Sequence, residues 1–311
     1  MEAIRIHARG GPSLLRYEEA PRPILQPGDA LVRVYASGIT PTELNWDETY
    51  KTCDGADRLP SIPGHELSGV VQAVADDANA EVRVGEAVYG LTSFCRNGTD
   101  AKYVAVHAAD LAPKPQTLDH TQTAAVPLSA LTAWQALFDH ADLKPDQRVL
   151  VHGAAGGVGT FAVQLAQWRG AYVIGTASEK DFDFLRQLGA DQLIDYKKVH
   201  FEEATSDVDV VIDTVGGVTR ERSWSIMRPG GILISLVGPV SQEKAVQHGV
   251  RAVFFIVTPS RHQLIKIAEL IDSGALRPII AATFPLDRAQ EAFERGLRGG
   301  NRGKLVLRII H

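Results

Sequence analysis

The sequence predicts a two-domain α/β protein: a compact, mostly antiparallel β domain, then a doubly wound domain built on a parallel sheet. Three observations predict it. The chain has 311 residues, and at roughly 100–200 residues per domain that length fits about two domains. Up to about residue 118, short segments rich in Val, Ile and Tyr are broken by Gly and Pro. Beyond it, near-continuous apolar strands alternate with helical spacing, which is the pattern of a parallel sheet covered on both faces.

The β domain is read from Ala3–Ala8, Leu31–Ala36, Ser68–Ala75, Ala87–Leu91 and Tyr103–Val106, each of strand composition. Pro21-Arg22-Pro23, Gln26-Pro27-Gly28 and Pro60-Ser61-Ile62-Pro63-Gly64 between them are turn signals. Thr121–His140 has helical apolar spacing. Arg148–Ala154 is an apolar strand, and Gly157–Arg169 a helix with Val158, Phe161, Ala162, Leu165 and Trp168 facing inward. Strands at Tyr172–Ala177, Gln192–Asp195, Asp209–Val215, Gly231–Gly238 and Ala252–Val257 follow. Helices are expected at Lys180–Leu188 and Ser260–Ser273, and a final strand within Gly299–Ile310.

Composition narrows the function. Hydrophobic residues make up 45% and charged residues 22% of the chain, an ordinary globular balance. The net charge of −5 disfavours nucleic acid or an anionic membrane surface as partner. No stretch approaches the ~18 apolar residues of a membrane span, and MEAIRIHARG lacks the apolar run of a signal peptide. Cys53 and Cys95 are the only cysteines. They are too few for a disulfide framework or a four-cysteine zinc site, so a reducing cytoplasm is the expected setting.

The sharpest motif is His152-Gly153-Ala154-Ala155-Gly156-Gly157-Val158-Gly159. It lies between a strand and a helix, the context a dinucleotide fingerprint requires. Ala154, Gly156 and Gly159 take the G-x-G-x-x-G positions. Ala at the first, tight-turning position is a mild departure. Gly156 leaves the backbone open to a pyrophosphate, and Gly159 lets helix and sheet approach. The alternative is a Gly-rich turn with no ligand. At the ribose end, the second strand leads into Ser178-Glu179-Lys180. A hydroxyl and a cation suit a 2′-phosphate, whereas an inward Glu179 would favour NAD. The balance favours NADPH. Lys180 read alone would be a solvated first-turn lysine.

These pieces, in order along nearly the whole chain, resemble the medium-chain dehydrogenase/reductase superfamily in its zinc-independent quinone oxidoreductase branch. The matching segments are Gly64-His65-Glu66-Leu67-Ser68-Gly69-Val70-Val71 and Ala124–Ala133. The Gly-rich loop, Ala177-Ser178, Asp213-Thr214-Val215-Gly216-Gly217 and Arg302-Gly303-Lys304-Leu305-Val306-Leu307 complete the set. The resemblance implies a GroES-like β-barrel catalytic domain (1–118 and 275–311) and a Rossmann domain (119–274). It implies that Gly156, Gly157 and Val158 cradle the pyrophosphate, and that Ser178, Lys180 and Tyr196 surround the 2′-phosphate. Thr132 would lie near the nicotinamide ribose, Val215, Leu236 and Val237 under the cofactor, and Arg302 and Lys304 on the nicotinamide side.

Alcohol-oxidising members of that superfamily carry a catalytic zinc. Their ligand slots read here as Thr40, His65 and a position near Ser129. Neutral hydroxyls are poor zinc ligands, and a catalytic site needs three good ones; no metal is expected. His65 is then read as a hydrogen-bonded residue shaping the cleft floor, with a proton role as the alternative. The resemblance puts the substrate beside Thr40–Tyr50. Thr40, Asn45 and Tyr50 are the candidates for bonding to it, with Tyr50 a direct proton donor or else a packing aromatic. Trp46 is an apolar wall or core, and Glu43 structural or catalytic. The apolar run Ala252–Val257, last in the sheet, predicts a homodimer paired along that edge. The leading function is an NADPH-dependent reductase of a quinone or α,β-unsaturated carbonyl. The alternatives are a zinc-dependent alcohol dehydrogenase and a non-enzymatic NADPH-binding protein.

Overall fold

A computed structural model describes residues 1–75 and 82–310. The chain divides into two compact units. The first comprises Met1–Leu131, Thr258–Gly274 and Pro278–His311, and the second Thr132–Val257 and Ala275–Arg277. The segment Thr258–Gly274, expected with the Rossmann domain, clusters with the first unit. Its contacts explain why. The Tyr89 hydroxyl donates to the Leu264 carbonyl at 2.5 Å, and Asp272 accepts from the Gln116 and Thr117 amides at 3.1 and 2.9 Å.

The first unit opens with β1 (Glu2–Ile6), β2 (Leu15–Glu19), β3 (Asp29–Ile39), β4 (Glu66–Val74), β5 (Ala87–Leu91), β6 (Tyr103–His107) and β7 (Leu111–Pro113). The second unit holds β8 (Arg148–His152), β9 (Tyr172–Ala177), β10 (Gln192–Asp195), β11 (Val208–Asp213), β12 (Met227–Ser235) and β13 (Arg251–Phe254). The chain then returns to the first unit with β14 (Ile280–Pro285) and β15 (Lys304–Arg308).

Among the described residues the second unit's sheet runs β10-β9-β8-β11-β12-β13, every pairing parallel. This is the doubly wound order, with its switch point between β8 and β11. Leu150, Ile174, Val211 and Leu233 pack beneath it without exposure. The first unit's sheet runs β14-β15-β3-β4-β5-β7, with β6 also on β3. Its pairings are antiparallel except β14 with β15. The α/β class is therefore as the sequence predicts, with a GroES-like unit beside a Rossmann unit.

Four strands of the second unit, β8, β11, β12 and β13, end earlier than the apolar runs that predict them, and two show why. Beyond His152 the chain turns at Gly153, whose φ of +68° is left-handed and natural for glycine. Beyond Asp213 the carboxylate of that residue accepts from the Val215 and Gly216 amides at 3.0 and 2.7 Å, which folds the chain out of the sheet. Composition did not reveal β2, β7 or β14, nor the helix Ala289–Arg298. That helix buries Ala289, Ala292 and Phe293 against Leu44, Tyr50 and Leu305.

The two cysteines are joined: Cys53 and Cys95 form a disulfide with Cα atoms 5.2 Å apart. Cysteine counting excluded a framework but passed over a single bridge. The bond ties the turn after Tyr50 to the loop after β5.

Candidate cofactor and substrate sites

The Gly-rich loop of the second unit is built to receive an anion. Gly156 is the N-cap of the helix Gly157–Trp168 and offers no side-chain cap. The first-turn amides of that helix are therefore left for an incoming acceptor, at the positive end of the helix dipole. A Cβ on Gly156 would meet only the Gly153 carbonyl, at 3.3 Å, so the space above the backbone is open. A Cβ on Gly159 would lie 2.3 Å from the same oxygen and 2.8 Å from Ala154 backbone atoms. Gly156 thus keeps room for a ligand, while Gly159 keeps room for the fold. The tight turn belongs to Gly153, not to the Ala154 position. Ala154 itself is fully buried and its methyl would lie only 3.0 Å from a Cβ on Gly175 of β9. The departure at the first fingerprint position is absorbed by a glycine on the next strand.

At the ribose end β9 and β10 pair so that Ala177 lies opposite Asp195. Ser178 and Tyr196, the next residue of each strand, therefore emerge side by side. Tyr196 is 61% exposed. Lys180 follows in the turn Glu179–Asp181. Glu179, the residue that argued for NAD, forms an ion pair with Lys198 at 2.5 Å. That pairing draws its charge to a second lysine and weakens its opposition to a phosphate. Lys198 was not singled out by the sequence, because only the pairing reveals its part.

Val215 and Val237 stand 54% and 51% exposed just past β11 and β12, with Leu236 half-buried beside them. Apolar groups this exposed at strand ends suit a flat ligand laid across them. Their loops are fixed by groups the sequence reading passed over. Leu236 N–H donates to the Asp213 carbonyl at 2.9 Å, Thr214 Oγ1 donates to the His152 carbonyl at 2.8 Å, and Arg220 donates to the Gly238 carbonyl at 3.1 Å. Thr132 is nearly buried.

In the first unit the substrate candidates separate. Thr40 is half-buried, and its Oγ1 accepts from Lys304 Nζ at 3.4 Å. Asn45 is exposed. Tyr50 is corrected: it is only 3% exposed, its hydroxyl donates to the Leu44 carbonyl at 2.6 Å, and Arg9 covers its ring at 4.6 Å. Its proton is committed to the backbone, which is the geometry of the packing aromatic rather than of a proton donor to substrate. Lys304 is corrected too. It is 6% exposed, forms an ion pair with Glu66 and donates to the Ile39 carbonyl at 2.9 Å. With Thr40 these partners take up its three donors, which leaves none for a cofactor. Arg302 stays exposed.

A buried polar group surrounds His65. Glu43 is fully buried, and its Oε2 accepts from the Gly64 amide at 2.9 Å. His65 Nε2 lies 3.0 Å from that oxygen, yet off the hydrogen-bonding direction; neither ring nitrogen has a hydrogen-bond partner. The expected hydrogen-bonded histidine is instead an aromatic one. Its ring stacks on Trp46 at 5.7 Å and meets Phe94 at 4.8 Å. Glu43 is thus a structural acceptor, and Trp46 is part of the wall around His65. Asp100, also fully buried, accepts from Ser37 at 2.6 Å. Burial, and then the neighbouring Glu43 charge, push its carboxyl well above the usual carboxylate range. Among the described residues no group of three or more His, Cys, Asp or Glu is placed to hold a metal ion. No helix among them is long and apolar enough to cross a membrane.

A GroES-like unit beside a Rossmann unit with an open phosphate cradle defines a dinucleotide-dependent oxidoreductase. Comparison with known proteins gives the family. Residues 26–116 match the alcohol dehydrogenase GroES-like domain and residues 188–307 the zinc-binding dehydrogenase model. A probable zinc-binding oxidoreductase, mitochondrial, of Arthroderma benhamiae is 34% identical, over 95% of this chain and 93% of its own. The quinone oxidoreductase of Coxiella burnetii superposes with a TM-score of 0.92 at 32% identity, covering 99% of each chain. The Escherichia coli quinone oxidoreductase complexed with NADPH superposes at 0.88 with 26% identity, covering 99% of this chain and 100% of the other. The chain belongs to the medium-chain dehydrogenase/reductase superfamily, among relatives that include quinone oxidoreductases.

Proposed function

We propose that this protein is an NADPH-dependent, zinc-independent reductase of quinones or α,β-unsaturated carbonyls. The observation that carries the reading is the pairing of an open cradle at Gly156 with the ribose-end group Ser178, Lys180 and Tyr196, whose one opposing carboxylate, Glu179, is held by Lys198. Gly156, Gly157 and Val158 would hold the pyrophosphate, Thr132 the nicotinamide ribose, and Val215, Leu236 and Val237 an apolar face. Bound there, the reduced nicotinamide supplies a hydride.

The chain's own part is to bind, orient and deliver a proton. Thr40 carries the last task. By accepting from Lys304, its Oγ1 leaves the O–H proton free to point at an acceptor oxygen, and the ammonium makes that proton a better donor. Asn45 is the other substrate contact in this reading. Hydride addition puts a negative charge on the acceptor oxygen, and one proton neutralises it, from water directly or through the Thr40 hydroxyl, which regains its proton from solvent.

The test is oxidation of NADPH and NADH against quinones, enones and aldehydes. The reading expects turnover with NADPH on the first two classes. Thr40→Val lowers kcat with little change in the NADPH Kd, and Lys180→Ala narrows the preference for NADPH over NADH. Stoichiometric zinc in the purified protein, with alcohol oxidation, would replace this reading by the zinc-dependent one. NADPH binding with no turnover would replace it by the non-enzymatic one.

A homodimer through β13 is part of the proposal. That strand ends its sheet, with Phe254 37% exposed at its end and Ile256 60% exposed just beyond it. Sedimentation at the mass of one chain counts against it. A cytoplasmic setting is proposed as well. The Arthroderma relative is described as mitochondrial, so imaging of the tagged protein decides.

A further inference from the structure

The first unit contains a cavity of about 490 Å³ whose lining residues all lie between Met1 and Ala105, none of them among the cofactor candidates. Its volume is in the range of small-molecule sites. Its chemistry is unusual for a chain of net charge −5. Four arginines line it, Arg5, Arg22, Arg58 and Arg96, and among the described residues no aspartate or glutamate does.

The arginines are unequally neutralised. Arg96 is bidentate to Asp29 at 2.8 and 2.6 Å, and Arg5 pairs with Glu18 at 3.0 Å. Arg58 has only neutral partners. It donates to the Glu48 carbonyl at 2.9 and 2.7 Å and to Asn97 Oδ1 at 3.3 Å. Burial pushes its guanidinium down to about 10, opposed by the Glu43 charge, so it remains a cation with no carboxylate in hydrogen-bond contact. Arg22, exposed, carries its guanidinium carbon 4.1 Å from the Tyr103 ring centre and sits between Pro21 and Pro23. The two prolines limit the backbone on either side, and the ring gives the cation a contact at its base. A guanidinium placed this way can pair with a planar oxyanion. Asn97 adds a donor: its oxygen accepts from the Ile62 amide at 3.0 Å, which turns its NH₂ elsewhere.

The walls between these cations are apolar. Ile24 is 86% exposed, the most exposed large hydrophobic side chain among the described residues, and it lines the cavity with Ile62 and Pro60. An apolar side chain next to cations suits a ligand with an apolar body and an anionic head.

We propose that this cavity binds a small amphipathic oxyanion, a carboxylate or phosphate ester on a compact apolar body, at a site separate from the dinucleotide cradle. Arg22 and Arg58 hold the anionic head, and Ile24 covers the body. The inference stands apart from the proposed reductase activity.

The experiment is calorimetric titration of the full protein, with excess NADPH present, against benzoate, phenyl phosphate, inorganic phosphate and benzyl alcohol at low ionic strength. Saturable binding of benzoate or phenyl phosphate, tighter than inorganic phosphate and absent for benzyl alcohol, is expected; the stronger of the two tells whether the head is carboxylate or phosphate. Arg22→Ala weakens it about tenfold, equivalent to about 1.4 kcal/mol, and leaves the thermal midpoint and the NADPH affinity unchanged. No saturable binding of either organic anion overturns the proposal. So does equal binding of inorganic phosphate or benzyl alcohol, or undiminished binding by Arg22→Ala.

Discussion

Two alanine substitutions three residues apart in the phosphate loop are expected to fail in opposite ways. In Gly156→Ala the new methyl meets one atom, the Gly153 carbonyl, at 3.3 Å. The backbone there, at φ −76° and ψ 178°, is open to alanine. The cost to folding is that of a poorer N-cap, below about 1 kcal/mol. The methyl instead fills the space through which a pyrophosphate reaches the helix amides. Losing one or two charge-assisted hydrogen bonds of about 1.5–3 kcal/mol each weakens NADPH by about tenfold or much more. In Gly159→Ala the methyl is driven to 2.3 Å from a carbonyl oxygen and 2.8 Å from two backbone carbons. Alanine's better helix propensity returns about 1 kcal/mol. Separating backbone from backbone costs about 1–3 kcal/mol and also moves the helix off its sheet, so the clash prevails. Urea unfolding and NADPH fluorescence titration on both variants read the two effects. A Gly156→Ala protein that binds NADPH as tightly as the parent, or a Gly159→Ala protein equally stable to urea, refutes the reasoning.

Further outcomes follow from single groups. Burial holds His152 down at about 4 against an ordinary 6.5, so between those values the unfolded chain binds a proton that the native one refuses. This contribution is complete above about pH 6.5 and is lost as pH falls to about 4, amounting to about 3 kcal/mol; urea midpoints against pH should show that loss and His152→Gln should flatten it. Tyr50→Phe should cost about 1–2 kcal/mol of stability by orphaning the Leu44 carbonyl and leave kcat/KM unchanged; a large fall in kcat/KM at unchanged stability would restore Tyr50 to the chemistry. Reducing Cys53–Cys95, 42 residues apart in sequence, should lower stability by up to about 4 kcal/mol on the loop-entropy model. Thiol titration should find two reactive groups only after reduction, and two before it would remove the bond.

The parts of the fold that were legible in sequence are those whose signal is local. Strand Arg148–His152, the glycines after it and the helix Gly157–Trp168 each declare themselves through neighbours in the chain. Gly156 and Gly159 could be assigned different duties for the same reason. The strand β14 and the helix Ala289–Arg298 were not legible, because what shapes them is packing against residues far away in sequence. Tyr50 as a proton donor and Lys304 as a cofactor contact were misplaced for a related reason. Nothing near Tyr50 announces that its hydroxyl is spent on Leu44, and nothing near Lys304 announces Glu66. The cysteine pair was missed because counting cysteines says nothing about whether two loops meet.

The pairing of β15 with β3 has a consequence for the order of assembly. Leu305 lies opposite Ile39, and the Lys304 ammonium reaches the Ile39 carbonyl across 265 residues of sequence. Closing a contact of such span is slow and has a long wait during synthesis. The Rossmann unit, contiguous from Thr132 to Val257 except for Ala275–Arg277, can assemble while the Ala36–Ile39 end of β3 still lacks its partner. A ribosome stalled before Lys304 would therefore hold a chain with one folded half and one open β edge. That nascent edge is where a chaperone, or a neighbouring chain on the same message, would first take hold.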